Sequence, residues 1–322
     1  MRVASIDIGT NTILLLVADL DEQGTIHPIE HQQRLPRLGR DVDDKGVIHV
    51  SAFDRVVRIL HEYKNLAIHL AANRIVAVAT SAIRDAANKD EFVSYVKRTT
   101  GIGIEILSGE DEALCTYRGA VSGFPETGHR TAVVDIGGGS TEFSFPSPCE
   151  GNRNDKTAVE RQSFQIGCVR LSERFFRHNP PEPQEIENAR GLITREFSRL
   201  KDLDLSEYSL IGVAGTATTL ACLDQGLMEF EIEKVSGYTM ECNRVGEWLA
   251  RLVALKTEEI LSLSKTTEGR ADILTAGVLI LHEFMTQIRL KKIVVSERGL
   301  RYGLAIRAWA NHTKEKALNE PR

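Results

Sequence analysis

Two kinds of hydrophobic spacing alternate along this chain. Compact runs of β-branched and aliphatic residues bounded by glycine and polar clusters read as buried strands, and longer stretches with apolar residues three or four apart read as helices. Residues 2–8 and 13–20 are the first two strands, a third segment follows around His27 to Gln33, and Leu35 to Val47 is an irregular stretch rich in Arg, Asp and Gly. Ser51 opens a helix whose apolar residues Phe53, Val56, Val57, Leu60, Tyr63 and Ala67 share one face. Ile75 to Thr80 is a buried strand, Asn88 or Asp90 starts a helix through Lys97, and Ile102 to Leu107 is again a strand. Ser108 then opens a helix carrying Leu114, Tyr117 and Val121 on one side. Ser108 with Asp111 fits the capping box, in which each side chain satisfies a free backbone N–H at the helix start. The alternation up to this point describes one α/β domain.

Gly123 to Arg130, with Pro125 and Gly128, reads as a linker into a second domain. That domain begins with Val133 to Phe143, a buried strand that runs into three consecutive glycines and returns as a second strand. Pro146 to Lys156 is a polar turn, Val159 to Ile166 a strand and Val169 to Arg177 a helix. Pro180, Pro181 and Pro183 break the chain before a helix from Gln184 to Leu200. Leu210 to Ala214 is a strand feeding Gly215, Thr216 and the hydroxyls that follow, a glycine turn that opens a helix and could face an anion. Helices start near Asn243, Thr257 and Arg270, Lys292 to Val295 is the last strand, and Leu300 to His312 is a terminal helix.

The glycine turns carry the chemistry. Asp135-Ile136-Gly137-Gly138-Gly139-Ser140-Thr141-Glu142 puts an acid at a strand end and then glycines, which alone tolerate positive φ and close approach, so that backbone N–H groups can face phosphate oxygens. Asp7-Ile8-Gly9-Thr10-Asn11-Thr12 repeats the same core. Two such turns in one chain imply a duplicated fold with a phosphate-facing hairpin in each half. Asp7, Asp135 and Glu142, at the mouths of these turns, are suited to hold Mg²⁺ directly or through its waters. The acidic helix start supplies a general base. Asp111 is occupied by the capping box and Glu110 points outward, which leaves Glu112, and the helix N-terminus favours an ionised carboxylate there.

The totals narrow the partners. With 322 residues the chain holds two ordinary domains, and 42% hydrophobic with 26% charged residues is the composition of a soluble globular protein. No leader-like segment or membrane-length apolar run is present, so the expected location is the cytoplasm. The net charge of −5 with no densely basic stretch argues against bulk nucleic-acid binding, so a polyanion would need a local positive field. Arg34, Arg37, Arg40, Arg84, Arg270, Arg298 and Arg301 are the candidates, because guanidinium meets phosphate oxygens bidentately. Five scattered cysteines suggest neither a zinc site nor a disulfide framework. Cys168 and Arg174 stand at the spacing of a cysteine phosphatase, but the residues between them lack glycine and read as a helix. An aspartyl-phosphate route through Asp7 lacks its second acid, since Gly9 occupies that position, and no histidine pair has metal-ligand spacing.

At these residues the sequence resembles the exopolyphosphatase and guanosine pentaphosphate phosphohydrolase family, of the actin, sugar kinase and heat-shock ATPase superfamily. The resemblance runs through Ile6 to Thr12, Ala79 to Arg84, Ser108 to Ala113, Asp135 to Glu142, Gly212 to Leu220, Arg270 with Ala276 and Gly277, and Ser296 to Gly303. It implies removal of terminal phosphate from inorganic polyphosphate, or of the 5′-terminal phosphate from guanosine pentaphosphate, with Mg²⁺ or Mn²⁺. By position Glu112 is the base, Arg84 and Arg270 hold the phosphate chain, Thr10 to Thr12 and Gly137 to Thr141 cradle phosphate, and Gly212, Gly215 and Thr216 form the nucleoside-side loop. The sequence departs from the pattern at Asp111, at Arg40-Asp41-Val42 where many members carry Glu-Gly, and in the lack of an appended helical region after the second domain.

The expected fold is α/β, two ribonuclease-H-like domains with an interdomain cleft. Residues 1–122 with the terminal helix 301–322 form domain I, and 123–300 form domain II. The expected partner is inorganic polyphosphate or a guanosine penta- or tetraphosphate, and a homodimer is compatible with the resemblance. A kinase or ATPase of the same superfamily, and a binding protein that senses guanosine polyphosphates without hydrolysing them, stay open as alternatives.

Overall fold

In a computed structural model of the chain, residues 1–40, 42–124, 130–146 and 159–319 are described. The expected linker and polar turn therefore lie for the most part outside the described residues. The chain divides into two units, Met1–Gly123 with Arg298–Arg322, and Phe124–Glu297.

The first unit contains β1 (Arg2–Ile8), β2 (Ile13–Leu20), β3 (Ile26–Arg34), α1 (Val42–Lys45), α2 (Val50–His69), β4 (Arg74–Ala79), α3 (Ser81–Asp85), α4 (Lys89–Thr100), β5 (Ile104–Ile106) and α5 (Gly109–Val121). The second contains β6 (Thr131–Ile136), β7 (Thr141–Pro146), β8 (Val159–Phe164), α6 (Cys168–Phe175), α7 (Pro183–Phe197), β9 (Ser209–Val213), α8 (Ala214–Asp224), α9 (Ile232–Val235), β10 (Thr239–Glu241), α10 (Cys242–Leu252), α11 (Thr257–Leu261), α12 (Ala271–Gln287) and β11 (Lys292–Val295). The last helix, α13 (Leu300–Asn319), belongs to the first unit.

The sheets repeat one design. The first has the order β3-β2-β1-β4-β5 and the second β10-β11-β9-β6-β7-β8. In each, a glycine hairpin joins two antiparallel strands, and the first of these pairs in parallel with the strand that follows the third. Reading β6, β7, β8, β9 and β11 for β1 to β5 maps one sheet onto the other, with β10 as an added edge strand. The repeat expected from two turns thus extends through both sheets.

Strand period and helix faces explain the cores. Ala4, Ile6 and Ile8 of β1 lie in one cluster with Phe53, Val56, Leu60 and Tyr63 of α2 and Phe92 of α4, whereas Val3 lies with Tyr302, Ala305 and Ala308 of α13. Between them on the α13 side, the Ser5 hydroxyl donates to the Arg301 carbonyl at 2.7 Å. Such two-faced burial is why β1 and β2 read as nearly continuous apolar runs. Helix α13 crosses α5 at backbone distance: a Cβ on Gly119 would stand 2.1 Å from the Gly299 carbonyl oxygen, and one on Gly303 only 1.7 Å from that of Cys115. In the second unit α12 is buried along most of its length, and Phe284 stacks edge-on against Phe143 and Phe197 at 4.9 and 5.2 Å.

Several local expectations need correction. Helix α2 begins at Val50 and its cap is His49, whose Nδ1 accepts from the Ser51 N–H, so Ser51 lies inside the first turn. Helix α4 has Asn88 at its N-cap, as expected, but runs to Thr100 rather than Lys97, and the Asn88 amide makes no cap bond because both backbone groups of Ile48 engage it. Only half of the expected capping box forms at α5: the Ser108 hydroxyl accepts from the Asp111 N–H, but the Asp111 carboxylate takes the Ser108 hydroxyl hydrogen, 2.7 Å away, rather than its backbone N–H. Helix α8 begins at Ala214, which carries the left-handed φ of +64°, and Gly215 follows it within the helix. The short elements α1, α3, α9 and β10 fall where the pattern is too brief to register.

Candidate active site

In the first unit the parallel strands β1, β4 and β5 all end at the same edge of the sheet, where α/β folds place their ligands. From β1 comes the Gly9 to Thr12 turn, closed by Gly9 N–H donating to the Thr12 carbonyl at 2.9 Å. Asp7 is the last but one residue of β1. From β4 comes Thr80, whose N–H donates to the Ile8 carbonyl at 3.2 Å, and then α3 with Arg84. From β5 comes Leu107, whose N–H donates to the Ala79 carbonyl at 3.0 Å, and then α5 with Glu112.

This convergence joins Arg84 to Glu112. Arg84 Nη1 donates to Glu112 Oε2 at 2.8 Å and to the Leu107 carbonyl at 3.0 Å. The side chains are only 17% and 9% exposed, so the pair is shielded from water and its geometry is held by protein. Arg84 Nη2 is buried without a hydrogen-bond partner, which points to an acceptor supplied by a ligand. Lys89 Nζ donates to the Arg84 carbonyl at 3.1 Å and fixes the turn that carries the arginine.

The second unit presents the other hairpin. Gly137 N–H donates to the Ser140 carbonyl at 3.0 Å, the same closure as in the first turn. The carbonyls of Gly137 and Gly138 accept from the N–H groups of Cys168, Val169 and Arg170 at the start of α6, and that of Gly139 accepts from Arg170 Nε at 2.8 Å. With the loop's oxygens turned to α6, no backbone acceptor among the described residues takes the N–H of Gly138, Gly139 or Ser140. Gly167 allows the close approach, since a Cβ there would stand 2.4 Å from the Gly138 carbonyl oxygen. Sequence reasoning did not assign Gly167 and Arg170, and the only local signal was a glycine just before a helix. Thr141, which follows the loop, turns its hydroxyl to the Ile166 carbonyl at 2.7 Å.

Asp135 and Glu142 are direct cross-strand partners, so both side chains project from one face of the hairpin. Glu142 is buried, and its Oε1 accepts from the Ser163 hydroxyl at 2.9 Å. Asp7, in the first unit, faces Leu14 in the register instead. Among the described residues no group of three or more His, Cys, Asp or Glu side chains is placed to hold a metal ion. Two neighbouring carboxylates still suit a hard divalent cation of the Mg²⁺ type, which takes one or two carboxylates and completes its shell with water and substrate phosphates.

Arg270 caps α12, deeply buried. Its Nη1 donates to the Thr219 hydroxyl at 3.2 Å, its Nε has no hydrogen-bond partner, and burial pushes the guanidinium below its ordinary value. Gly212, Gly215 and Thr216 do not form a loop. Gly212 lies in β9 against Ile293, Gly215 lies where a Cβ would stand 2.0 Å from Arg270 Nη1, and Thr216 fills the space left open by Gly277. Arg34 is engaged by Glu62, and Arg298 donates to the Ser122 carbonyl at 3.1 Å. Cys168 is on α6, as its helical surroundings suggested, and burial pushes its thiol up to about 12. Iodoacetamide at neutral pH should therefore leave Cys168 unmodified by peptide mass mapping, and rapid labelling there would contradict the packing.

The geometry defines a duplicated two-unit α/β protein with a glycine hairpin in each unit and a buried arginine–glutamate pair at the strand-end edge of the first sheet. The chain belongs to the Ppx/GppA phosphatase family, whose signature matches residues 16–312. It is 32% identical over 320 residues to exopolyphosphatase 2 of Mycobacterium tuberculosis, covering 95% of this chain and 98% of that protein. The crystal structure of the Aquifex aeolicus member of the Ppx/GppA family superposes with a TM-score of 0.80 at 30% identity, covering 97% and 98% of the two chains. An exopolyphosphatase from Cytophaga hutchinsonii gives a TM-score of 0.85 at 27% identity, over 97% and 98%. Among the described residues no helix is long and apolar enough to cross a membrane.

Proposed function

We propose that this protein hydrolyses the terminal phosphoanhydride bond of inorganic polyphosphate. The observation that carries the reading is the buried Arg84–Glu112 pair at the sheet edge that also presents the Gly9 to Thr12 hairpin. Relatives bearing the exopolyphosphatase name across nearly the full chain support it.

Water attacks the terminal phosphorus, the bond from that phosphorus to the bridging oxygen breaks, and the electron pair leaves with the shortened chain. Glu112 takes the proton of the attacking water, and Arg84, held in place by Glu112 and the Leu107 carbonyl, offers Nη2 to a phosphate oxygen. The N–H groups of the Gly137 to Ser140 turn bind phosphate oxygens, and Arg270 contributes a buried positive charge in the second unit. A bound Mg²⁺ or Mn²⁺ would disperse charge on the phosphate oxygens, with Asp135 and Glu142 the residues of this chain to hold it and Asp7 the acid of the first unit.

Guanosine pentaphosphate presents the same linear phosphates and is the second reading. The relatives that carry the exopolyphosphatase name favour the inorganic chain as the first reading. Phosphate release from polyphosphate and from guanosine pentaphosphate, measured side by side with and without Mg²⁺, tests the proposal. Mg²⁺-dependent release at least tenfold faster from polyphosphate is the expected result. Release from ATP alone, or phosphate transfer to an acceptor, would favour the kinase or ATPase alternative, and tight guanosine tetraphosphate binding without hydrolysis would favour the sensor.

A further inference from the structure

The stretch between β3 and α1 is not an unconstrained surface loop. Arg37 N–H donates to the Asn11 carbonyl at 3.2 Å and Gly39 N–H to the Thr10 carbonyl at 2.7 Å, so the segment is laid directly on the first phosphate hairpin. It is itself a closed turn, with Arg40 N–H donating to the Arg37 carbonyl at 3.3 Å and Val42 N–H to that of Gly39 at 3.1 Å. Leu38 is buried beneath it, and Arg37 is held at φ of +50°, a conformation that costs a non-glycine residue and persists only where surroundings impose it.

Gly39 gives the turn its position. A Cβ there would stand 2.1 Å from Thr10 Cγ2 and 3.1 Å from the Ala82 Cβ, so the glycine is wedged between the first hairpin and α3, two residues before Arg84. The next residue, Arg40, is exposed, and among the described residues no carboxylate is paired with it. A hydrogen-bonded turn thus places the exposed Arg40 directly after the glycine that packs against the first hairpin and α3, while Arg34, at the end of β3, is committed to Glu62.

We infer that Arg40 contacts a phosphate of the bound chain that is not being cleaved, and so favours long polyanions over short ones. The inference rests on the polyphosphate reading above and adds a residue that determines chain-length preference. Guanidinium suits the role because it stays charged and meets phosphate oxygens in a planar fork.

The test compares wild type with Arg40→Gln and Arg40→Lys. Equilibrium binding of a fluorescently labelled long polyphosphate is measured at two salt concentrations, alongside phosphate release from that polymer and from tripolyphosphate. Arg40→Gln should raise both Kd and KM for the polymer roughly five- to tenfold, with kcat and the KM for tripolyphosphate moving less than about twofold. It should also flatten the salt dependence of polymer binding, and Arg40→Lys should restore most of the affinity. Unchanged polymer binding in Arg40→Gln, or an equal loss on tripolyphosphate, would overturn the assignment. A wild-type protein that binds the polymer without hydrolysing it, with binding weakened in Arg40→Gln, would remove the hydrolase reading and keep the role of Arg40. Failure of the wild type to bind polyphosphate would remove both.

Discussion

Replacing Glu112 by Gln is expected to lower phosphate release by about 10³-fold while polyphosphate binding stays within about twofold of wild type. The amide keeps the shape of the carboxylate and an oxygen for Arg84 Nη1, but it cannot accept a proton from water. Because the guanidinium loses the charge of a partner that is only 9% exposed, the variant should also lose about 1–2 kcal/mol of stability, read as a drop of a few degrees in Tm. Single-turnover phosphate release and equilibrium binding separate the two effects. A Glu112→Gln protein that turns over at the wild-type rate would remove Glu112 from the role of base, whatever its melting temperature.

Gly303→Ala is the substitution expected to damage the fold most for its size. The added methyl would stand 1.7 Å from the Cys115 carbonyl oxygen and 2.9 Å from the Cys115 Cα, both backbone atoms of the packed helix α5 that no rotamer change can move. Helices α5 and α13 must separate, which opens the contact between α13 and the β1–β2 face of the sheet. We expect a loss of about 3 kcal/mol and a fall in Tm of about 6–12 °C. Gly191→Ala is the control, since nothing lies within 4 Å of its added methyl on the exposed side of α7, and alanine's better helix propensity should raise stability by about 0.5–1 kcal/mol. Equal melting temperatures for the two variants would show that the α5–α13 crossing is not as tight as its glycines indicate.

Both substitutions concern contacts with different degrees of legibility. Glu112 could be picked out because helix capping is local: Ser108 accepts from the Asp111 N–H three residues on, which leaves Glu112 as the inward acid of the first turn. The hairpins were legible for the same reason, since Gly9 closes onto Thr12 and Gly137 onto Ser140 within four residues. The glycines of 212–216 show where local reading fails. A glycine before a helix predicts a loop that faces a ligand, yet α8 already begins at Ala214 and Gly215 leaves room for Arg270, which comes more than fifty residues later. Gly303 gives no signal in its own neighbourhood, because the carbonyl it must clear belongs to α5.

The amino-acid sequence by itself determined the strands and helices with strong periodicity, the two glycine hairpins, the duplication and the helix that carries Glu112, because each is written in spacings of a few residues. Only the tertiary structure decided that Arg84 meets Glu112 across 28 positions, that Asp135 and Glu142 face one another across their hairpin, and that Gly39 packs between Thr10 and Ala82. Those meetings depend on which strands pair in parallel and on how closely backbones approach. Both are settled by burial of the whole sheet rather than by any stretch of neighbouring residues.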